Sequence, residues 1–311
     1  LRLVGSEMCI RDRCKLMITV NEYCKKEFGE KLYKISLNGG MSCPNRDGKL
    51  DVRGCIFCSA GGSGDFAPDR SIPLDEQIED AKRRVSSKYK GTHYIAYFQA
   101  YTNTYAPVEK LRALFMPVIK REDIAVLSIA TRPDCLSDEV LDLLRELNDI
   151  KPVWVELGLQ TIHEKTADYI RRGYSLPVYD KAIRDLEAIG IHTITHLILG
   201  LPGETKEDML QSVRYVSDCG SQGIKLQLLH VLKGTDLASD YEKGFFRTLL
   251  FDEYIDLLAD CVRLLPKDMI VHRLTGDGPK NLLIAPMWSA DKKRVMNAIH
   301  QRLKKEGLYC E

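Results

Sequence analysis

The chain has 311 residues, with 45 Lys and Arg against 44 Asp and Glu, so its formal net charge is +1. Apolar residues make up 44% and charged residues 29%, which is ordinary for a globular protein and excludes a fibrous or disordered chain. A net charge near zero excludes a strongly basic nucleic-acid coat but is compatible with a local basic patch. No uncharged apolar run approaches the roughly 18 residues of a membrane span, so no membrane partner is expected.

The N-terminal segment fits no periodic pattern. The stretch LRLVGSEMCIRDR does not lead into the next segment and resembles translated sequencing-adapter read-through. We therefore expect residues 1–16 to be non-native or disordered. Residues 17–266 are predicted to form the core, and 267–311 a C-terminal extension that packs on it.

Apolar strand patterns and helical patterns alternate along the core. The predicted strands are 33–37, 93–99, 124–130, 153–159, 191–199 and 223–230. The predicted helices are 74–88, 108–120, 138–147, one or two within 163–189, 205–219, 251–265 and, in the extension, 291–305. Six βα units predict an α/β fold, a partial (β/α)6 TIM-like barrel with a small C-terminal helical appendage. The alternative is a doubly wound open sheet. In both folds the functional site lies at the carboxyl ends of the strands.

A cysteine-rich loop follows the first predicted strand. Cys43, Cys55 and Cys58 have the spacing C-x11-C-x2-C. Closed zinc and iron–sulfur sites use four protein ligands, whereas three cysteines on a 4Fe-4S cluster leave one iron open for a small molecule. Two alternatives remain open at this point. One is a zinc site with a distant fourth ligand such as His93 or Cys135, and the other is three unrelated cysteines.

The cysteine loop, with Phe57 between its last two cysteines, resembles that of radical S-adenosylmethionine (SAM) enzymes. Such enzymes widely carry C-x3-C-x2-C, and the longer first gap departs from this pattern. The chain is more similar to the branch that includes the elongator catalytic subunit and the YtqA/YhcC-like proteins. The similarity runs over 22–309. It is carried by FGEKLYKISLNGGMSCPNRDG, GCIFCSAGGSGDF, YFQAYTNTYAP, ATRPDCL, VELGLQT, RRGYS, LILGLPGET and LKGTDLA.

The resemblance implies two cofactors, a 4Fe-4S cluster on Cys43, Cys55 and Cys58, and SAM. One electron, from a donor such as flavodoxin or ferredoxin, would cleave SAM reductively to methionine and a 5′-deoxyadenosyl radical. Because an open-iron cluster is oxygen-labile and its thiolates must stay reduced, we expect the protein in the cytoplasm.

The resemblance also implies SAM contacts at the strand ends. Gln99 and Asn103 would meet the methionine moiety, Glu156 and Gln160 the ribose, and the backbone around Gly200 the adenine. The full set of predicted cofactor-binding residues is Phe57, Gln99, Asn103, Thr131, Glu156, Gln160, Gly200 and Pro202. Alternatives remain open, because Glu156 could be a paired core carboxylate, Gln99 and Asn103 could satisfy loop backbone, and Gly200 could be a turn residue.

Two residues are catalytic candidates. Arg132 follows the third strand and could hold a carboxylate or phosphate, or form a salt bridge at the barrel rim. His230 ends the sixth strand and could face the substrate or be a satisfied core histidine. The elongator-like resemblance suggests tRNA as a partner and wobble-uridine modification as the reaction. The alternatives are a radical SAM enzyme acting on a small metabolite, and a non-catalytic zinc or Fe–S RNA-binding module.

Overall fold

The computed structural model describes residues 17–62, 64–276 and 278–309, so the expectation for residues 1–16 lies outside the described residues. The strands are β1 Ile18–Thr19, β2 Tyr33–Leu37, β3 Tyr94–Phe98, β4 Ile124–Thr131, β5 Val153–Gln160, β6 His192–Leu199, β7 Gly223–Leu228, β8 Val231–Leu232, β9 Ile270–Arg273 and β10 Leu283–Ala285. The helices are α1 Val20–Phe28, α2 Leu74–Val85, α3 Val108–Ile119, α4 Asp138–Asn148, α5 Glu164–Tyr169, α6 Leu176–Ala188, α7 Lys206–Asp218, α8 Asp236–Glu242, α9 Phe251–Leu264 and α10 Lys292–Lys305.

Within the described residues, eight strands form one parallel sheet in the order β1-β9-β7-β6-β5-β4-β3-β2. The sheet runs from β1 at one edge to β2 at the other, which makes it an open, partial barrel and confirms the predicted fold class. Central strands such as β4 and β5 are almost wholly buried because helices cover the outer face. Between the sheet and these helices, Phe98 of β3 packs edge-to-face on Phe115 of α3, with ring centroids 5.0 Å apart.

Helix α1 covers the amino ends of the strands. Thr19 caps it, because the Thr19 hydroxyl accepts from the Glu22 amide (3.3 Å) while the Glu22 carboxylate accepts from the Thr19 amide (2.7 Å). Cys24 of α1 packs into an apolar cluster that includes Trp154 and Val126. This cluster seals one end of the barrel, which leaves the carboxyl ends of the strands as its open mouth.

The C-terminal segment takes part in the sheet. The sequence predicted that residues 267–311 pack on the core, whereas β9 lies between β7 and β1 and pairs in parallel with both. The short strand β10 pairs antiparallel with β8, and α10 packs against α9. The C-terminal segment therefore contributes a strand to the barrel sheet. Among the described residues, none of the helices is both long and apolar enough to span a bilayer.

Candidate active site

A cavity of about 410 Å³ opens at the carboxyl ends of the strands. Its walls come from the inward-facing side chains of the sheet and from the cysteine loop, since alternate residues of a strand share one face. Seven of the predicted site residues outside the cysteines line it, namely Phe57, Gln99, Thr131, Arg132, Glu156, Gln160 and His230.

All three cysteines of the loop line this cavity. The loop is held by backbone turns, with the Arg46 amide donating to the Cys43 carbonyl (2.8 Å) and the Cys58 amide to the Cys55 carbonyl (3.0 Å). The Arg46 guanidinium also donates to the Cys58 carbonyl at 3.1 Å. Gly54 precedes Cys55 with φ +80°, and a Cβ there would lie 2.8 Å from the Arg46 side chain, so this turn requires glycine.

The surroundings of the Cys55 thiol favour its protonated form. The neighbouring Cys58 thiol and burial raise the pKa of Cys55, and the nearby Arg132 and Asn45 only partly oppose this. Metal ligation would release the Cys55 proton, because the thiolate is the ligand. Arg132 supplies positive charge beside Cys43 and Cys55, and its guanidinium is fixed by two 2.8 Å bonds to Asp134.

The structure offers the zinc alternative little geometric support. Among the described residues, no three His, Cys, Asp or Glu side chains are gathered around a point that could hold one metal ion. His93 is bonded to Glu30 at 2.6 Å, and it does not line the cavity; nor does Cys135. All three thiols line the same cavity, and three thiolates are the donor set that a 4Fe-4S cluster with one open iron would need.

Gln99 and Asn103 have different surroundings. Gln99 lines the cavity, and its buried amide nitrogen has no hydrogen-bond partner in the described part of the chain. Asn103 is fully buried outside the cavity lining, and its amide donates to the carbonyls of Phe98 (3.1 Å) and Ala130 (2.9 Å). Asn103 Oδ1 is also without a partner among the described residues, but it is not in the cavity lining. Gln99 is thus available to a ligand, and the Asn103 amide nitrogen ties the ends of β3 and β4 together.

The loop after β6 packs beside the cavity, since a Cβ at Gly200 would lie 3.9 Å from Leu229 of its lining. Gly200 and Pro202, predicted to approach adenine, are not among the residues that line it. Gly200 has φ +90°, and a Cβ there would come within 3.1 Å of Leu249, so the glycine serves the turn. Gln160 does line the cavity, at the end of β5 with φ +64°.

Glu156 is the centre of a buried charged cluster at the cavity floor. Its Oε1 accepts from Lys34 Nζ (2.6 Å) and Ser128 Oγ (2.8 Å). Its Oε2 accepts from His196 Nε2 (2.8 Å) and from Lys225 Nζ. These four donors occupy the four acceptor positions of a carboxylate, which leaves none for the ribose hydroxyls predicted to bind there.

The electrostatics of this cluster are set by the two lysines. Burial opposes ionisation of Glu156, but the ammonium groups of Lys225 and Lys34 outweigh it and hold the pKa of this carboxyl well below its usual range. Burial lowers the pKa of Lys225 to about 7, despite the carboxylate. Burial and Lys225 lower the pKa of His196 to about 4, so its ring is neutral.

Lys34, Lys225 and His196 were not predicted from the sequence to belong to the site. Their sequence context could have indicated it. An ionisable residue within an apolar strand that is covered on both faces must face a partner or a cavity.

His230 is bonded through Nε2 to Ser289 (3.0 Å), a residue of the short 3₁₀ turn Met287–Ala290. That bond connects the cavity wall to the C-terminal segment.

Comparison with known proteins gives matches over most of the chain. The model of the radical SAM superfamily matches residues 52–216, and that of the radical SAM C-terminal domain matches 221–305. Uncharacterized protein YtqA of Bacillus subtilis is 48% identical over 94% of this chain and 90% of its own length. Protein YhcC of Escherichia coli is 37% identical, covering 91% of each chain.

More distant similarities are shorter or structural. A tRNA uridine(34) acetyltransferase of Methanocaldococcus jannaschii is 24% identical over 60% of this chain and 34% of its own length. The solved structure of Methanocaldococcus infernus Elp3 superposes with a TM-score of 0.67 at 17% identity, covering 90% of this chain and 64% of that one. This last similarity concerns the fold.

Proposed function

This chain belongs to the radical SAM superfamily, and we propose that it is an enzyme that cleaves SAM reductively in the cavity at the carboxyl ends of its strands. The observation that carries the proposal is the placement of Cys43, Cys55 and Cys58 on one wall of that cavity, beside the fixed cation of Arg132. These three thiolates would hold a 4Fe-4S cluster. When bound, the cluster and SAM supply one-electron cleavage of a sulfur–carbon bond and the organic radical that results.

The protein's own residues supply charge and position. Arg132 lies close enough to Cys43 and Cys55 to offset the negative charge that three thiolates bring to the loop. Gln99 offers a buried amide without a partner among the described residues, and Gln160 offers a second amide at the end of β5. We assign the polar end of SAM to Gln99 and its ribose to Gln160, because amides can both donate and accept.

The electron donor must reach the cysteine loop from outside. Leu50 and Val52, between Cys43 and Cys55, are 50% and 71% exposed. A loop that presents apolar side chains to the solvent next to the cluster ligands favours docking of a small one-electron carrier such as flavodoxin or ferredoxin.

The cluster and the cleavage are tested on protein purified and reconstituted without oxygen. We expect iron and sulfide to bind, and reduced protein to release methionine from SAM. Replacing any one of the three cysteines by serine abolishes both results. Cys219→Ser is the matched control, because that thiol bonds to the Tyr179 hydroxyl (3.3 Å), away from the cavity. Cluster-loaded wild-type protein that leaves SAM intact after reduction contradicts the proposal.

We infer that the substrate class is tRNA, with a wobble uridine as the modified base. The similarity to a tRNA uridine(34) acetyltransferase supports this assignment. A basic surface beside the cavity mouth also supports it. Pro279 lines the cavity, and the adjacent Lys280 shares a shallow depression with Lys292, Lys293 and Arg294. Exposed Lys and Arg side chains in such a place suit the phosphates of an RNA whose base enters the cavity.

The substrate is tested in two ways. The modified nucleosides of total tRNA are compared between cells with and without the gene, and we expect one uridine derivative to disappear. Filter binding of tRNA to the Lys292→Glu, Lys293→Glu double variant should show affinity about tenfold lower at low salt, while the exposed Lys165→Glu control retains it. An unchanged nucleoside profile removes tRNA as the substrate and leaves the SAM chemistry standing.

A further inference from the structure

The floor of the cavity holds more positive than negative charge. Glu156 is the carboxylate of the cluster, and Lys34 and Lys225 both donate to it. His196 adds no charge, because its Nε2 donates to Glu156 while its Nδ1 lies 3.3 Å from the Gln227 amide nitrogen, the arrangement of a neutral ring. Both ammonium groups bond to Glu156, and the single negative charge of this carboxylate balances only one of their two positive charges.

The Lys225 ammonium has more N–H donors than its surroundings have acceptors. Its side chain is 4% exposed and lines the cavity, and its ammonium donates one bond, to Glu156. The other side of the ammonium faces the ring of Tyr97, with Nζ 4.7 Å from the centroid. An ammonium has three N–H groups, and no further acceptor for Lys225 exists among the described residues. A buried donor without an acceptor is costly, and a ligand oxygen in the cavity would remove that cost.

We propose that the cavity floor is an oxyanion subsite, in which Lys225 contacts a carboxylate or phosphate oxygen of the substrate and Glu156 is the positioning residue that holds Lys225 in place. The proposal rests on the proposed function, since it takes this cavity as the active site. It concerns the end of the cavity away from the cysteines and assigns the part of the substrate that reaches deepest.

An anion fits this floor better than a neutral group. A bound oxyanion would pair with the surplus ammonium charge in a water-poor site, where charge-assisted bonds are strongest. The groups that face Lys225 are Lys34 of β2, Tyr97 of β3, Glu156 of β5, His196 of β6, and His272 and Arg273 of β9. Because burial and two of these cations lower the pKa of Lys225 to about 7, anion affinity should fall as the pH rises through that value.

The experiment uses cluster-loaded protein and two probes, inorganic phosphate and acetate. Each is titrated by calorimetry, and the acetylation rate of Lys225 by acetic anhydride is followed by mass spectrometry. We expect at least one probe to bind and to protect Lys225. In Lys225→Met the affinity should fall about tenfold or more, and in Lys225→Arg it should be largely restored. The exposed Lys165→Met variant is the control and should bind as wild type.

The two probes separate the sources of the oxyanion. Tighter binding of phosphate indicates a nucleotide phosphate, and tighter binding of acetate indicates an organic acid. The role of Glu156 is read from Glu156→Gln, in which the pH midpoint of Lys225 acetylation should shift downward. The subsite is refuted if Lys225→Met binds both probes as wild type does, or if neither probe protects Lys225. SAM cleavage by the wild-type protein tests the proposed function independently, so failure of either proposal is recognisable by itself.

Discussion

Replacing Glu156 by glutamine removes the negative charge of the buried cluster and preserves the size of the side chain. The carboxylate is completely buried and bonds four donors, of which Lys225 is 4% and Lys34 25% exposed at the side chain. The variant leaves the Lys225 ammonium in the interior without a counter-ion. We therefore expect a large loss of stability, and a loss that depends on pH.

The magnitude follows from the type of interaction. Breaking a buried ion pair by removing one partner costs about 3–5 kcal/mol, and we expect this range at pH 6, where Lys225 is protonated. Lys225 has a pKa of about 7 in the folded protein, and a lower one when Glu156 is absent, because the carboxylate raises it. Above pH 7 the Lys225 amine is neutral in both proteins, so the difference should shrink by up to about 1.4 kcal/mol, the linkage of one proton over the pH unit from 6 to 7, while the broken bond to Lys34 persists.

The measurement is urea denaturation of wild type and Glu156→Gln at pH 6 and pH 9, followed by the fluorescence of the buried Trp154. Glu122→Gln, at an exposed position, is the control and should stay within about 0.5 kcal/mol of wild type at both pH values. A Glu156→Gln variant as stable as the control at pH 6, or a difference that grows towards pH 9, refutes this account of the cluster.

Three further substitutions test other parts of the structure. Thr19→Ala removes the cap of α1 and should lower the free energy of unfolding by about 1 kcal/mol, measured by urea denaturation; an unchanged midpoint would show that the cap is dispensable. Asn103→Ala removes the bonds that tie β3 to β4 and should cost about 1–3 kcal/mol, which thermal unfolding checks. Replacing Arg132 by lysine or methionine should make the reduction midpoint of the bound cluster more negative, methionine more so because it removes the cation beside Cys43; equal midpoints in an EPR-monitored titration would exclude that electrostatic role.

Much of the fold could be predicted because its strands are long apolar runs. The observed β4, Ile124–Thr131, extends the predicted strand by one residue, and α4 begins after Ser137, which caps it as expected. The last two strands at one side of the sheet, β1 and its neighbour β9, were missed. β1 has two residues and β9 has four, and neither is long enough for a periodic pattern to appear. Their existence depends on pairing with residues far away in the chain.

The site was predictable where the chemistry is local in sequence. The cysteine spacing predicted three metal ligands in one loop, and the three cysteines of that loop line the cavity. Glu156 shows the limit of such reasoning. Its position on β5 was sufficient to direct it inward, but its partners Lys34 and Lys225 come from β2 and β7, on either side of the barrel. Which donors bond to a buried carboxylate depends on the order of the strands in the sheet. That order cannot be predicted from the sequence of any one segment.

The pairing of β1 with β9 has a consequence for how the protein matures. Ile18 of β1 pairs in the sheet with Ile270 of β9, and the Met17 amide donates to the Leu308 carbonyl (2.8 Å). During synthesis β1 therefore stays unpaired until β9 has left the ribosome, which happens when nearly the whole polypeptide has been made. Any truncation that removes β9 leaves this early strand as an unpaired edge, which favours association between nascent chains.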